Sequence, residues 1–304
     1  MEAVNVKNQK RPLKARGLKS VKLGEILIVI FISLLCLTCI LPFIHVIAKS
    51  LSSDGAVLAK SVYLLPKETT FKAYSTVFSD GQLTHAMIYT VYMTAIFTVL
   101  GMVVTICAAY PLSKRRLKGR VFLSFLIMLT MYFSAGLIPT YLLYKDLNLL
   151  DTMWVLILPL MFSPYNMLIM KSFFQSSIPD SLEESAFLDG ANHFRIIWSI
   201  VLPLSKPILA TLSLFYAVGR WNAYGDAKYY VTTKALQPLQ YILSNMILNS
   251  TSDAISLSES AEASANPEVL QAAMIVFSTA PIIMLYPFVQ RYFVKGVMIG
   301  AVKG

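Results

Sequence analysis

Residues 26–47 read ILIVIFISLLCLTCILPFIHVI, an apolar run of 22 residues that contains no Asp, Glu, Lys or Arg. Since an α-helix rises about 1.5 Å per residue, the run is long enough to cross the ~30 Å hydrocarbon core of a bilayer. A basic stretch precedes it, as in a secretory signal. The run is longer than the roughly 7–15 apolar residues of a signal peptide, however, and no clean cleavage site follows it. We therefore predict an uncleaved first membrane helix.

The composition of the chain agrees with a membrane protein. Of its 304 residues, 56% are hydrophobic and 14% are charged, and the mean hydropathy is +0.63, whereas a soluble domain carries about 25% charged residues. The net charge of +10 lies in short clusters beside apolar runs, which argues against nucleic-acid binding. Cys36, Cys39 and Cys107 all lie inside apolar runs, so they predict neither a disulfide nor a metal site.

Six segments have the length and composition of membrane spans. They are Ile26–Ile47, Ala86–Leu112, Val121–Tyr144, Met153–Met170, Ile208–Val218 with its flanks, and Leu270–Phe288. Helices are expected because a spanning segment must satisfy its own backbone polar groups. The sequence thus predicts an all-α polytopic membrane protein with six transmembrane helices.

The distribution of Lys and Arg predicts the orientation. The first 23 residues carry seven such residues, the segment 114–120 carries five, and Arg291, Lys295 and Lys303 follow the last span. By the positive-inside rule both termini and the second and fourth loops are cytoplasmic, and the other loops face outward. The predicted organisation is a basic tail (1–24), a transmembrane domain (25–295) and a cytoplasmic C-terminal tail (296–304). The fifth loop, residues 226–268, is long and polar, and its stretch 250–269 is expected to be mobile or to be ordered only against a partner.

The fourth loop carries the clearest pattern. Residues 176–207 read SSIPDSLEESAFLDGANHFRIIWSIVLPLSKP. Asp180 and Glu183 have the spacing of a capping box, which predicts a helix that starts near Asp180. Gly190 is expected to end that helix, because glycine adopts positive φ without strain. A second helix is predicted over Ala191–Leu202. We expect a short, rigid helix that enters a cleft on a partner, with Asp180 and Glu183 complementing its dipole.

This loop resembles the EAA loop of ATP-binding-cassette importer permeases, with Ser185 in place of the family's usual alanine. Leu65-Pro66-Lys67, Gly136-x-Ile138-Pro139 and the C-terminal stretch 290–304 resemble the carbohydrate-importer subgroup, the maltose-type second permease. Within that subgroup the chain is most similar to permeases for complex oligosaccharides, including those that contain uronic acids. The ATPase-coupling residues that the resemblance implies are Glu184, Ser185, Ala186, Phe187, Asp189, Gly190 and Ala191 in the loop 178–207.

The resemblance also implies the fold and the partners. These are a type I importer permease fold in a bacterial cell membrane, a second homologous permease, an ATPase dimer and an external solute-binding protein. The C-terminal tail is expected to reach between the ATPases. Because the chain contains no phosphate-binding loop of the form G-x-x-x-x-G-K-[ST], we expect ATP and magnesium to bind the partner ATPase. This chain should itself be non-enzymatic and without a cofactor or metal.

Three alternatives remain from the sequence alone: an ion-coupled secondary transporter, a polytopic membrane enzyme, and an importer permease for a solute other than a sugar. The first is disfavoured because it predicts charged residues in mid-membrane. The second requires a convergent set of His, Asp or Glu, and the spans contain no such set.

The outer end of the fifth span is the candidate for solute contact. Residues 219–230 read GRWNAYGDAKYY, which combines aromatic rings with hydrogen-bonding groups, and arginine can bind a carboxylate through two hydrogen bonds. The competing interpretation is an interfacial aromatic belt with an arginine that reaches to the membrane surface. The candidate pathway residues are Arg220, Trp221, Asn222, Tyr224 and Asp226.

Overall fold

A computed structural model describes residues 23–79, 81–253 and 266–301, and this part of the chain is helical without any strand. The helices are α1 (Leu23–Ser50), α2 (Asp54–Leu58), α3 (Lys72–Ser79), α4 (Gly81–Ser113), α5 (Arg120–Leu129), α6 (Leu137–Asp146), α7 (Pro164–Ser177), α8 (Asp180–Leu188), α9 (His193–Ile196), α10 (Leu202–Leu204), α11 (Lys206–Asn222), α12 (Gly225–Tyr230), α13 (Leu239–Asp253) and α14 (Pro267–Ala301). Short 3₁₀ turns occupy Met153–Leu156 and Lys234–Leu236, and a π-helical turn occupies Ile197–Val201.

Parts of the predicted tails lie outside the described residues. Residues 1–22 and 302–304 are among these, as is the polar centre of the fifth loop, 254–265. Residues 296–301 continue α14. Helices α12 and α13 lie in the first half of the fifth loop, and most of the stretch expected to be mobile lies outside the described residues.

Three helices in the described residues are long and apolar enough to cross a membrane: α1, α4 and α14. They correspond to the first, second and sixth predicted spans. A fourth crossing is added if residues 193–222 count as one span, bent by 85° at Ser205 between α10 and α11. In the isolated chain the apolar side chains of α1 are exposed along nearly its whole length, as expected for a helix that faces lipid or a partner.

The third and fourth spans are not continuous helices, so the prediction of a single helix in each was wrong. The segment Val121–Tyr144 is divided into α5 and α6 by residues 130–136, which end at Gly136 with φ of +82°. The segment Met153–Met170 is divided between a 3₁₀ turn and α7. Pro164 disfavours helical backbone in the residue before it. Accordingly Ser163 has extended backbone, and its side chain caps α7.

Two buried clusters hold the helices together. The larger lies between α4, α7 and α11 and includes Met93, Phe97, Met167, Met170 and Leu212. The smaller joins α3 and the first half of α4 to α13 and α14 and includes Val77, Leu83, Leu239, Val269 and Ala273. These clusters make α4 the helix that both cores share.

Tyr216 of α11 joins three elements inside the larger cluster. Its hydroxyl shares a 2.7 Å hydrogen bond with Thr105 of α4 and accepts one of 3.1 Å from the backbone N–H of Ser163. The ring lies against Gly101. A Cβ at that position would be 2.9 Å from a ring carbon and 3.0 Å from the carbonyl oxygen of Met161. Glycine at 101 therefore permits the close approach of α4 and α11.

The loops form two groups, one at each end of the long helix α4. At one end the backbone N–H of Asn266 donates to Asp54 at 3.0 Å, and Lys49 pairs with Glu268. At the same end Asp151 binds the segment after α12. At the other end the basic segment that follows α4 contacts α8. The first, third and fifth loops are thus grouped apart from the second and fourth, in the pattern that the charge distribution predicts.

Candidate coupling and solute-pathway sites

The short helix α8 begins and ends where the sequence predicts. It covers Asp180–Leu188 and is closed by Gly190, whose φ is +80°. The N–H of Gly190 donates to the carbonyl of Phe187 at 3.0 Å, and the N–H of Ala191 donates to that of Ala186 at 2.9 Å. This pair of bonds is the Schellman motif. The turn that reverses the chain after α8 is therefore fixed by backbone geometry.

The predicted capping box is wrong. Pro179 is the cap residue and makes no side-chain capping hydrogen bond, while Glu183 points into the protein and forms an ion pair with Lys114. Both side chains are buried, 4% and 7% exposed respectively. The other carboxylate oxygen of Glu183 accepts a 3.4 Å hydrogen bond from Tyr110, whose ring centroid lies 5.1 Å from the Lys114 ammonium. A buried cation is a stronger partner for the carboxylate than a solvated backbone N–H.

Phe187 forms a second contact between α8 and the basic segment. The guanidinium of Arg116 lies 4.8 Å from its ring centroid, and His193 packs edge-on at 4.9 Å. Arg116 also lies 3.4 Å from the ring nitrogen of His193. From the sequence, Lys114 and Arg116 indicated only membrane orientation. The structure adds that they contact the helix of the fourth loop, which no local sequence signal predicts because the two segments are about 70 residues apart.

The opposite side of α8 is open. Glu184, Ser185, Asp189 and Gly190 are exposed, and Leu188 is 90% exposed. Glu184 also lines a cavity of about 190 Å³ with Arg115, Arg116, Asp180 and the Lys114–Glu183 pair. Of the predicted coupling residues, Ala186, Phe187 and Ala191 are half-buried and pack on the larger core. The site therefore has an outward face that is free to meet a partner and an inward face that is attached to α4.

The return segment is less regular than the predicted helix Ala191–Leu202. Asn192 caps α9 by accepting a hydrogen bond from the N–H of Arg195 at 2.8 Å. The helix then widens into the π-helical turn before α10. Phe194 and Trp198 are 84% and 76% exposed, so this segment presents two aromatic rings on the surface of the chain.

The candidate pathway residues fall into two groups. Arg220 has no exposed side-chain surface and binds both carboxylate oxygens of Asp226; it also donates to the carbonyl of Leu156 at 2.9 Å. Trp221 is buried and donates to the carbonyl of Ser278 at 3.1 Å. These three side chains are thus engaged inside the chain. Asn222 and Tyr224 are exposed and remain open to a solute or partner.

An aromatic cluster near this region was not predicted. Tyr230 stacks on Tyr141 with ring centroids 6.3 Å apart and meets Tyr144 edge-on at 5.1 Å, and Tyr229 lies beside it at 6.4 Å. Tyr141 and Tyr144 are three residues apart and so share one helix face, which is the signal that sequence reasoning missed.

Asp151 ties the third loop to the fifth. Its carboxylate accepts hydrogen bonds from the backbone N–H groups of Thr232 and Thr233 at 2.9 and 2.8 Å, and from the Thr233 hydroxyl at 2.7 Å. Because these donors stabilise the ionised form, the pKa of Asp151 is lowered to about 2. In the described residues no group of three or more His, Cys, Asp or Glu side chains is placed to hold a metal ion.

Comparison with known proteins agrees with this architecture. Residues 98–299 match the family described as "Binding-protein-dependent transport system inner membrane component". The chain is 43% identical to the Polygalacturonan/rhamnogalacturonan transport system permease protein YtcP of Bacillus subtilis (strain 168), over 93% of this chain and 99% of that one. It is 42% identical to Protein LplC of the same organism, over 87% and 90% of the two chains.

A solved structure has the same fold. It is the crystal structure of a bacterial ABC transporter involved in the import of the acidic polysaccharide alginate. One chain of it aligns with a TM-score of 0.81 and 33% identity, over 93% of this chain and 100% of that one.

Proposed function

This chain belongs to the family of binding-protein-dependent transport system inner membrane components, and we propose that it is the permease subunit that forms half of an import pathway for acidic oligosaccharides. As an ABC importer permease it has the type I permease fold. Membership of this family sets aside the ion-coupled transporter and the membrane enzyme.

The proposed solute class rests on the relatives. One is named for polygalacturonan and rhamnogalacturonan, and the solved transporter imports alginate, an acidic polysaccharide. Polygalacturonan is itself a polymer of galacturonic acid, so both relatives are named for acidic polysaccharides. Both align over almost the full length of the chain, which is the observation that carries the proposal.

The proposed assembly has this chain beside a second, homologous permease, above an ATPase dimer that holds ATP and magnesium, in a bacterial cell membrane. The chain crosses six times, with the third and fourth crossings made by the broken segments around residues 130–136 and 157–163. Both termini and α8 lie on the cytoplasmic side, and a solute-binding protein delivers the solute from outside. The transmembrane domain covers 25–295, and 296–304 forms the C-terminal tail.

In this assembly the open face of α8 docks in a cleft of the ATPase. The exposed Glu184 and Asp189 face basic groups there, and Ser185 and Gly190 permit close approach because they are small. The face that holds Glu183 and Phe187 stays attached to this chain. Asn222 and Tyr224 are the side chains at the end of α11 that remain available for solute contact.

Calorimetric titration of the partner solute-binding protein tests the solute. We expect oligogalacturonides to bind, and maltotriose, a neutral control, not to bind. Preference for a neutral sugar would remove the acidic assignment, and preference for a peptide or metal would remove the carbohydrate assignment. Neither result bears on the assignment of the chain as an importer permease.

Copurification tests the docking face. The exposed substitution Glu184→Lys should lower the yield of ATPase that purifies with the complex, whereas Asp146→Lys, a comparable charge change on an exposed residue at the other end, should not. Full recovery of ATPase with both variants would contradict the role given to α8.

A further inference from the structure

Glu183 is the only buried residue among the nine residues of α8. The next residue, Glu184, is exposed. Successive side chains on a helix point about 100° apart, so the two adjacent carboxylates differ in exposure although both line one small cavity. One is available to a partner, and the other is enclosed by Lys114 and Tyr110.

Lys114 is placed to receive a force from α8. It directly follows Ser113, the last residue of α4. The carbonyl of Ser113 accepts a 3.3 Å hydrogen bond from Gln175 of α7, and α4 packs against α7 and α11 in the larger core. A displacement of Lys114 therefore acts on the end of the helix that both cores share.

We propose that the buried Lys114–Glu183 ion pair is the positioning link that passes the movement of α8 to α4. This inference rests on the proposed function, since it assumes that an ATPase moves α8. The two side chains act through the helices that they join, and neither has to touch the solute or ATP.

An ion pair suits this task because it is short, directional and costly to separate away from water. Removal of one partner leaves the other charge buried and uncompensated. The contact of Arg116 and His193 with Phe187 fixes the position of α8 less tightly, because groups packed on an aromatic face can shift along it. We therefore assign the transmission of movement to the ion pair and the steadying of α8 to the Phe187 contact.

The test uses the complete importer in liposomes, with both permeases, the ATPase subunits and the binding protein. The measured quantity is the coupling ratio, labelled oligogalacturonide imported per ATP hydrolysed. We expect Glu183→Gln to lower this ratio by about tenfold, since one partner of a buried pair is lost. The exposed Lys118 in the same basic segment supplies the control: Lys118→Met should leave the ratio unchanged.

Two double variants separate transmission from folding. The variant Lys114→Glu/Glu183→Lys exchanges the two charges. The new carboxylate at position 114 lies near Arg115 and Arg116, and the new ammonium at position 183 lies near Asp180 and Glu184, so each has neighbours of opposite sign. This exchange should restore the ratio to within about twofold of wild type. Lys114→Met/Glu183→Met keeps the packing and should assemble. Flexible thioethers slide past one another, so the ratio should stay low.

The proposal is overturned by a Met/Met variant with the wild-type ratio, or by an exchanged pair that assembles and stays uncoupled. Failure of both double variants to assemble also overturns it, because the pair would then serve folding. These outcomes differ from failure of the proposed function, which would appear as wild-type protein that neither retains ATPase nor imports solute on ATP addition.

Discussion

Replacement of Asp226 by Asn tests whether Arg220 serves the structure or the solute. The guanidinium has no exposed side-chain surface, and the carboxylate is 13% exposed. The substitution removes the negative charge and leaves the positive charge buried, a change that costs about 3–5 kcal/mol in comparable pairs.

The contacts favour the lower end of that range. Water reaches the edge of Asp226, and Arg220 retains the carbonyls of Leu156 and Ala223 as acceptors. We therefore expect a loss of about 3 kcal/mol, which lowers the melting temperature by about 6–12 °C at roughly 2–4 °C per kcal/mol. The double variant Arg220→Met/Asp226→Leu should recover stability to within about 1 kcal/mol of wild type, because paired apolar replacements of buried ions are often neutral.

The assay is a thermal melt of the detergent-purified importer, followed by uptake measurements in liposomes. Lys72→Met is the control, since Lys72 forms an exposed pair with Asp54 at 3.6 Å and such pairs contribute about 0–1 kcal/mol. If Arg220 serves the structure, Asp226→Asn is unstable and the double variant is stable and active in uptake. A stable Asp226→Asn, or a stable double variant that has lost uptake, would refute that role and return Arg220 to the solute pathway.

Gly190→Ala places a Cβ on a backbone with φ of +80° and should cost about 1–2 kcal/mol; we expect less ATPase to purify with the complex, and an unchanged yield would contradict the rigid-turn argument. Gly101→Val meets the ring of Tyr216 and a backbone carbonyl at about 3 Å and should cost about 1–3 kcal/mol by overpacking. A thermal melt measures this cost, and an unchanged melt would show that α4 and α11 separate easily. The pKa of Asp151 is lowered from 3.8 to about 2, so its ionised form stabilises the fold above pH ~4 and that contribution is lost as the pH falls from ~4 to ~2. The stability difference between wild type and Asp151→Asn should therefore be constant above pH ~4 and shrink below it, and a difference at pH 2 as large as that above pH ~4 would contradict the role given to the carboxylate.

The features that the sequence predicted correctly are those that depend on neighbouring residues. Apolar runs predicted α1, α4 and α14, and Gly190 predicted the end of α8; the start near Asp180 was predicted from a capping box that does not form. The third and fourth spans failed because hydropathy does not register a break when the breaking residues are themselves apolar, as around Met131 and Phe133.

The side-chain partners in the candidate site depend on distant residues and were harder to predict. Glu183 had the spacing of a capping residue, yet Lys114, which is 69 positions away, binds it. Arg220 and Asp226 are six residues apart and meet only because the helix ends at Asn222 and the chain turns. Neither the end of the helix nor the turn is specified by the residue types alone.

The break between α5 and α6 has a consequence for what surrounds the chain. A helix of ten residues advances about 15 Å, which is half of a ~30 Å hydrocarbon core. In the six-span arrangement proposed above, residues 130–136 therefore fall near the middle of the bilayer, where lipid offers no hydrogen bonds to an irregular backbone. That side of the chain must be covered by another protein surface or by water, whereas the unbroken α1 is suited to contact acyl chains. In that arrangement the break between α5 and α6 marks the side of the subunit that faces protein or water, and α1 marks the side that faces lipid.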